Sequence, residues 1–227
     1  MKTDPNAVFD YRALRLLMGM IAFSLPFATS LISSTPLASI SASYYTEAHD
    51  VFICLLCIIS TLLWAYNGHS TREKLASKIA SIATILVVIF PTSCVGCAAD
   101  TKSIIHYAGA VVIFGILIYF CLGPFREGTK DHRGKKARRA AIYLVCGWVM
   151  LLCMVVAVFA QLVGSLNSTQ TSTVVYWTET ISLLAFGVAW IVAGKAIPVL
   201  TEEEERLKLS LKQGDESEYS LSTATSS

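Results

Sequence analysis

Six long apolar blocks constrain this chain more than any other feature of its sequence. Each block approaches the ~20 residues that a helix needs to cross a ~30 Å hydrocarbon core. Because hydrocarbon offers no partners to backbone N–H and C=O groups, a spanning segment closes its own hydrogen bonds as a helix. The blocks also lack the alternating polar positions of a membrane β-strand. They lie near residues 16–34, 50–66, 75–91, 104–122, 140–166 and 174–198.

The composition agrees with a membrane protein, since 54% of the 227 residues are hydrophobic and 15% are charged. In soluble proteins about a quarter of the residues are charged. The sequence therefore predicts an all-α bundle of six transmembrane helices within residues 1–200. Residues 201–227 are acidic and then rich in Ser and Thr, a composition that buries too little apolar surface to fold. We expect a cytoplasmic and largely disordered tail there.

Lys and Arg residues concentrate in alternate connections, which predicts the orientation through the positive-inside rule. The N-terminal segment, the connection after the second block and residues 126–139 are basic, whereas the opposite side carries only Lys102. Both termini are thus expected in the cytoplasm. Residues 126–139 either bind anionic lipid head groups or only fix the topology. Because these charges lie against the membrane, nucleic acid is not an expected partner.

Polar and ionisable side chains near the extracytoplasmic ends of the blocks form the candidate ligand-binding cluster. Acids and histidines at membrane depth are costly unless they are paired, so they mark functional sites by default. Such a cluster favours a protein that binds or passes a small solute, an ion or a lipid. Its members are Ser41, Tyr45, His49, Asp50, His106 and Glu179.

The same cluster supports a second interpretation as a metal site. Two imidazoles and a carboxylate, from His49, Asp50 and His106, suit Zn²⁺, which activates water near neutral pH. The set resembles membrane hydrolases of the alkaline ceramidase type, which implies a zinc-dependent hydrolase acting on lipid. The last block, however, lacks the paired histidines of that group.

A third interpretation is a membrane scaffold or accessory subunit, either as a homo-oligomer or with a partner subunit.

Several short runs resemble an uncharacterised family of small multi-pass bacterial membrane proteins. These runs are Ser39-Ile-Ser-Ala-Ser-Tyr-Tyr-Thr, Asp50-Val-Phe, Phe90-Pro-Thr and Ile105-His-Tyr. The similarity is strongest over residues 15–125. It implies a six-span architecture in the bacterial inner membrane and no particular activity.

Cysteines and aromatic residues add local expectations. Cys94 and Cys97 form a C-x-x-C in the second extracytoplasmic connection, where oxidising conditions favour a short-loop disulfide. A redox role, or a zinc site that includes His106, are the alternatives. Tyr66 lies close to a block end and is expected in an interfacial aromatic belt. Trp190 lies deeper and either lines a pocket or packs against neighbouring helices.

Overall fold

The computed structural model describes residues 11–94, 97, 99–127, 129, 134–167, 172–201 and 203. Within these ranges every regular element is a helix, which confirms the all-α prediction. The α-helices are α1 (Tyr11–Ile32), α2 (His49–Ala65), α3 (Thr71–Ile89), α4 (Thr101–Leu122), α5 (Pro124–Glu127), α6 (Lys135–Asn167) and α7 (Ser172–Ala193). Two 3₁₀ helices accompany them: Ser41–Tyr45, which we call the cap helix, and Pro198–Leu200.

Among the described residues, four helical segments are long and apolar enough to cross a membrane. They are Tyr11–Ile32, Thr101–Glu127, Lys135–Val163 and Thr173–Ala193, while α2 is apolar but shorter. Large apolar side chains also cover the outside of the molecule; Leu31, for example, is 85% exposed and Phe159 67% exposed. A continuous surface of this kind is unfavourable in water and suits contact with lipid. The chain is therefore a helical membrane bundle.

The six long helices close into a ring. In order around the ring they are α1, α2, α3, α4, α6 and α7, and α7 packs back against α1. The closing pair is antiparallel, because Arg15 contacts Ala193 near one end of the bundle and Ser30 contacts Tyr176 near the other. We call these the Arg15 end and the cap end, since the cap helix lies at the latter. The ring surrounds a central space.

Hydroxyl side chains join α2 to α3 inside the bundle. Ser60 Oγ donates to the Ser81 carbonyl at 3.0 Å, and Ser81 Oγ donates to the Ser60 carbonyl at 2.8 Å. One turn further along, Ser77 Oγ donates to the Leu63 carbonyl. Small polar residues of this type allow two helices to approach closely and to exchange hydrogen bonds in an apolar environment. They fix the register of α2 against α3.

Glycines bring the backbones of α1 and α7 into direct contact. A Cβ atom placed on Gly19 would lie 2.6 Å from the Ile191 nitrogen and 2.8 Å from the Gly187 carbonyl oxygen. A Cβ on Gly187 would lie 2.9 Å from the Gly19 carbonyl oxygen. No real side chain fits at such distances, so the ring closes here only because both positions are glycine. In contrast, a Cβ on Gly115 of α4 would have no neighbour within 4 Å.

The six long helices coincide with the six predicted blocks, with differences at their ends. At the last block the sequence predicts a helix to residue 198, whereas α7 ends at Ala193. The backbone leaves helical geometry at Lys195, whose φ is 56°, and Pro198 then disfavours a return to the helix at the residue before it. Ile197 is accordingly extended, with φ −86° and ψ 113°. The predicted disorder of the tail concerns residues that, apart from 201 and 203, lie outside the described ranges.

We expect Gly19→Ala to lower stability by about 1–3 kcal/mol, the usual cost of overpacking, because the new methyl group meets backbone atoms that cannot rotate away. Gly115→Ala is the matched control. Its methyl group meets nothing, and alanine favours helix more than glycine does, so stability should stay equal or rise. Unfolding of both purified variants in detergent, followed by circular dichroism against temperature, measures the difference. Equal stability of the two variants would contradict the close α1–α7 contact.

Candidate functional site

The ring encloses a cavity of about 80 Å³ that is partly open. Side chains from α1, α2, α3, α4 and α7 line it, and the cap helix lies across one end. Nearly all of the lining is apolar, including Leu25, Phe52 and Phe186. The polar lining residues are Ser41, Thr84 and Glu179. An apolar cavity with a few convergent polar groups is the usual form of a small-molecule site.

Glu179 of α7 joins the cavity to the cap helix. Its Oε2 atom accepts hydrogen bonds from the backbone N–H groups of Ile40 at 2.6 Å and Ser41 at 3.2 Å. Its Oε1 atom accepts one from the Ser41 hydroxyl at 3.2 Å. The first N–H groups of a helix have no partner within it, which is why a carboxylate binds favourably at this point. The side chain is only partly buried.

Two further contacts hold the segment that carries the cap helix. Glu47 accepts hydrogen bonds from the Ser34 hydroxyl at 2.7 Å and from the Ser34 backbone N–H at 3.2 Å. These bonds favour the charged form and lower the pKa of Glu47 below its ordinary value. Tyr45 donates its phenolic proton to the Thr92 carbonyl at 2.7 Å. The segment is thus attached to the end of α1, to α7 and to the connection between α3 and α4.

Of the six residues predicted to form a ligand-binding cluster, the structure brings Ser41 and Glu179 together at the cavity. Tyr45 is 53% exposed and uses its hydroxyl on Thr92. Asp50 is exposed in the first turn of α2. The cluster therefore contributes one acid and one hydroxyl to the cavity lining.

The two histidines of the predicted metal site contact two different backbone carbonyl groups. His49 Nδ1 lies 2.7 Å from the Tyr44 carbonyl oxygen, and His106 Nδ1 lies 2.8 Å from that of Phe90. Among the described residues, no three His, Cys, Asp or Glu side chains are grouped so that they could hold a metal ion. The zinc site formed by His49, Asp50 and His106 thus stays a prediction, without support from the geometry.

Cys94 and Cys97 are joined as a disulfide, with their Cα atoms 5.2 Å apart. This bridge lies in the connection between α3 and α4. Nearby, the Ser93 hydroxyl bonds to the Tyr107 hydroxyl at 2.6 Å. The disulfide and the Ser93–Tyr107 bond constrain this connection. The Tyr45 hydroxyl bonds to the connection at the Thr92 carbonyl.

A buried arginine network occupies the opposite end of the bundle. Arg15 is 7% exposed, and its Nη2 and Nε atoms donate to the Tyr66 hydroxyl at 2.6 and 3.1 Å. Nη2 also lies 3.2 Å from His69 Nε2. The guanidinium carbon is 5.1 Å from the centre of the Phe125 ring, a cation–π distance. The charge is thus held by aromatic faces and neutral acceptors.

Aromatic rings pack between this network and the cavity. The Trp190 ring centre lies 5.2–5.6 Å from those of Tyr66, Phe120, Phe125 and Phe186. Trp190 and Tyr66 are both fully buried. Since Phe186 also lines the cavity, these rings form its floor. The cavity thus extends from the cap helix towards the aromatic rings that separate it from Arg15.

The sequence analysis missed the Arg15 network. Counting charges for topology treats every basic residue near a membrane as solvated, and a tyrosine near a block end suggests an interfacial belt. The expectation that Tyr66 belongs to that belt is wrong, because the ring is fully buried. The available signal was positional: Arg15 immediately precedes the first block and Tyr66 ends the second, so both lie at the same end of adjacent helices.

We expect Arg15 and Tyr66 to be energetically coupled by about 0.5–3 kcal/mol, the range for groups in one hydrogen-bond network. The double-mutant cycle uses Arg15→Met, Tyr66→Phe and the double variant, with unfolding in detergent as the measurement. Arg72→Met, at an exposed position in the first turn of α3, is the control and should change stability by less than about 0.5 kcal/mol. Purely additive effects of the two substitutions would show that the observed hydrogen bonds contribute no coupling.

The cavity beneath the cap helix is the candidate functional site. It offers a short apolar space, one carboxylate and two hydroxyl groups, and an aromatic floor that separates it from a buried arginine. Comparison of the chain with protein-family models, with curated proteins and with solved structures found no match.

Proposed function

We propose that this protein binds a small, largely apolar molecule in the central cavity, which is reached from the cap end. The observation that carries the proposal is an apolar cavity whose lining contains a single carboxylate, Glu179, beneath the cap helix. Burial of apolar ligand surface supplies the affinity. The polar groups at the mouth orient the ligand.

The volume limits the size of the ligand. An apolar cavity of about 150 Å³ accommodates a benzene molecule, and the cavity here has about half that volume, 80 Å³. It therefore suits a chain of about four carbon atoms, whose polar end remains at the open mouth. A whole lipid molecule is too large, and the small-solute form of the proposal is preferred.

We further propose that all six long helices cross a bacterial inner membrane, with the cap end outside and both termini in the cytoplasm. The Lys and Arg distribution supports this orientation. α3 is the least apolar of the six long helices, and its apolar outer face supports its insertion into the membrane. After the polar first turn, its exposed side chains form an apolar stripe at Leu75, Ile79, Ile82, Ile85 and Ile89. Lys78 lies over the Trp64 ring at 5.0 Å, near the proposed inner interface.

Insertion of alkaline phosphatase, which is active only outside the cytoplasm, tests this topology. Insertions after Ser34 and after Asp100 should give active enzyme, and an insertion after Gly68 should give inactive enzyme. Insertion of a fluorescent protein that folds only in the cytoplasm should give the opposite pattern. Phosphatase activity after Gly68 would show that α2 and α3 enter and leave on the same side, which would contradict the six-span proposal.

Binding to the cavity is tested with 4,4,4-trifluorobutanol, a probe of matching length, and fluorine NMR of the protein in lipid nanodiscs. We expect saturable binding that empty nanodiscs do not show. Ala110→Phe places a ring at a position that lines the cavity, and it should weaken binding at least about tenfold, which corresponds to 1.4 kcal/mol. Ala108→Phe, at an exposed position on the same helix, is the matched control and should leave binding unchanged.

Ile113→Phe gives a second way to fill the cavity from α4. Circular dichroism of each variant verifies that the helices are retained. If both cavity-filling variants fold and bind the probe as the wild type does, the probe occupies another place, and the proposed function is wrong.

A further inference from the structure

We propose that the cavity selects a protonated primary amine, that is, a small organic ammonium ion with a short apolar chain. This inference rests on the proposed function, because it names the class of molecule that the same cavity binds. It follows from the hydrogen-bonding roles of the polar groups that line the cavity, from the charge of one of them and from the apolar character of the rest of the wall.

The polar groups of the lining present acceptors and no free donors. The Ser41 hydroxyl donates its proton to Glu179 Oε1. The Thr84 hydroxyl donates its proton to the Ala80 carbonyl of its own helix at 2.8 Å. Glu179, as a carboxylate, has only acceptor atoms. An ammonium group has three N–H donors and no acceptor, so its hydrogen-bonding capacity complements that of the lining.

Glu179 also retains acceptor capacity at one particular atom. Each carboxylate oxygen can accept about two hydrogen bonds. Oε2 already accepts two, from the backbone N–H groups of Ile40 and Ser41, whereas Oε1 accepts one, from the Ser41 hydroxyl. A donor on a ligand at the cavity mouth can therefore bond to Oε1 without breaking the contacts that hold the cap helix.

The charge of Glu179 distinguishes an ammonium ion from a neutral donor such as an alcohol. Across the described residues, the partners of its carboxylate are the neutral groups of Ile40 and Ser41, and no Lys, Arg or His pairs with it. Arg15 lies beyond the aromatic floor, among Tyr66, His69 and Phe125. A carboxylate beside apolar walls is poorly solvated, so a cationic ligand gains a charge-assisted hydrogen bond there. An anionic ligand is repelled.

The apolar wall sets the rest of the ligand. From Glu179 the cavity continues along Leu183 and Phe186 of α7 and faces Ile113 and Leu117 of α4. A short unbranched carbon chain fills this space while its ammonium group stays at the mouth. The cavity thus excludes polyamines, whose second charge would have to enter the apolar part.

Three probes with the same 4,4,4-trifluorobutyl group test the inference: 4,4,4-trifluorobutylammonium, 4,4,4-trifluorobutanol and 5,5,5-trifluoropentanoate. Fluorine NMR titrations at pH 7.5 use the full chain in nanodiscs of zwitterionic lipid, with empty nanodiscs subtracted. We expect the ammonium probe to bind at least about tenfold more tightly than the alcohol, because a hydrogen bond to a charged group is worth more than a neutral one. The carboxylate probe should bind most weakly.

Glu179→Gln should reduce the preference for ammonium over alcohol to less than about threefold, while binding of the alcohol changes little. The matched control is Glu47→Gln, which removes a carboxylate that also bonds to a serine hydroxyl and a backbone N–H but lies outside the cavity. This control should retain the preference. The trimethylated form of the ammonium probe keeps the charge and lacks N–H donors, so it should bind the wild type more weakly than the primary amine.

The outcomes separate the two proposals. Equal binding of ammonium and alcohol by the wild type, with loss of both in Ala110→Phe, would overturn the ammonium inference and leave the proposed function in place. Absence of binding by every probe would overturn both. An ammonium preference that persists in folded Glu179→Gln, or a trimethylated probe that binds as tightly as the primary amine, would remove Glu179 as the selecting group.

Discussion

Contact between the first and the last long helix holds the bundle together as a ring. Gly19 of α1 and Gly187 of α7 let the two backbones meet without intervening side chains. Hydrocarbon gives helices little hydrophobic reason to associate, so close packing and interhelical hydrogen bonds carry that role. If this pair separated, the wall of the cavity would open between Leu25, on α1, and Glu179, on α7. The site therefore depends on two residues that do not touch its ligand space.

Two charged side chains inside the ring, Glu179 and Arg15, lie at opposite ends of it. An acid, Glu179, lies at the cap end and receives hydrogen bonds from the cap helix, while a base, Arg15, lies at the other end among aromatic rings. Charges of opposite sign at opposite ends cannot neutralise each other across the apolar middle. Each is therefore stabilised locally, Glu179 by backbone N–H groups and Arg15 by Tyr66. Glu179 lines the central cavity and Arg15 does not.

Much of the fold followed from hydrophobic pattern, and less of the site did. Six apolar blocks locate six helices because length and polarity decide which segments suit lipid. The pattern also selected Ser41 and Glu179, since polar groups near span ends are unusual. It could not show that His49 and His106 contact the backbone carbonyls of Tyr44 and Phe90, because side-chain direction depends on packing. The hydrophobic pattern of single helices also does not predict which helices are neighbours in the ring.

Ring closure also has a consequence for biosynthesis. The Arg15–Ala193 hydrogen bond joins residues 178 positions apart, so the first helix receives its second neighbour only when the last has been made. Until then an incomplete arc of helices lies in the membrane, with the glycine face of α1 uncovered and the future cavity open to lipid tails. Closing a longer loop adds only slowly to the entropic cost, about 0.6 kcal/mol for each doubling of length. Until α7 arrives, therefore, neither the Gly19–Gly187 contact nor the α7 side of the cavity wall exists.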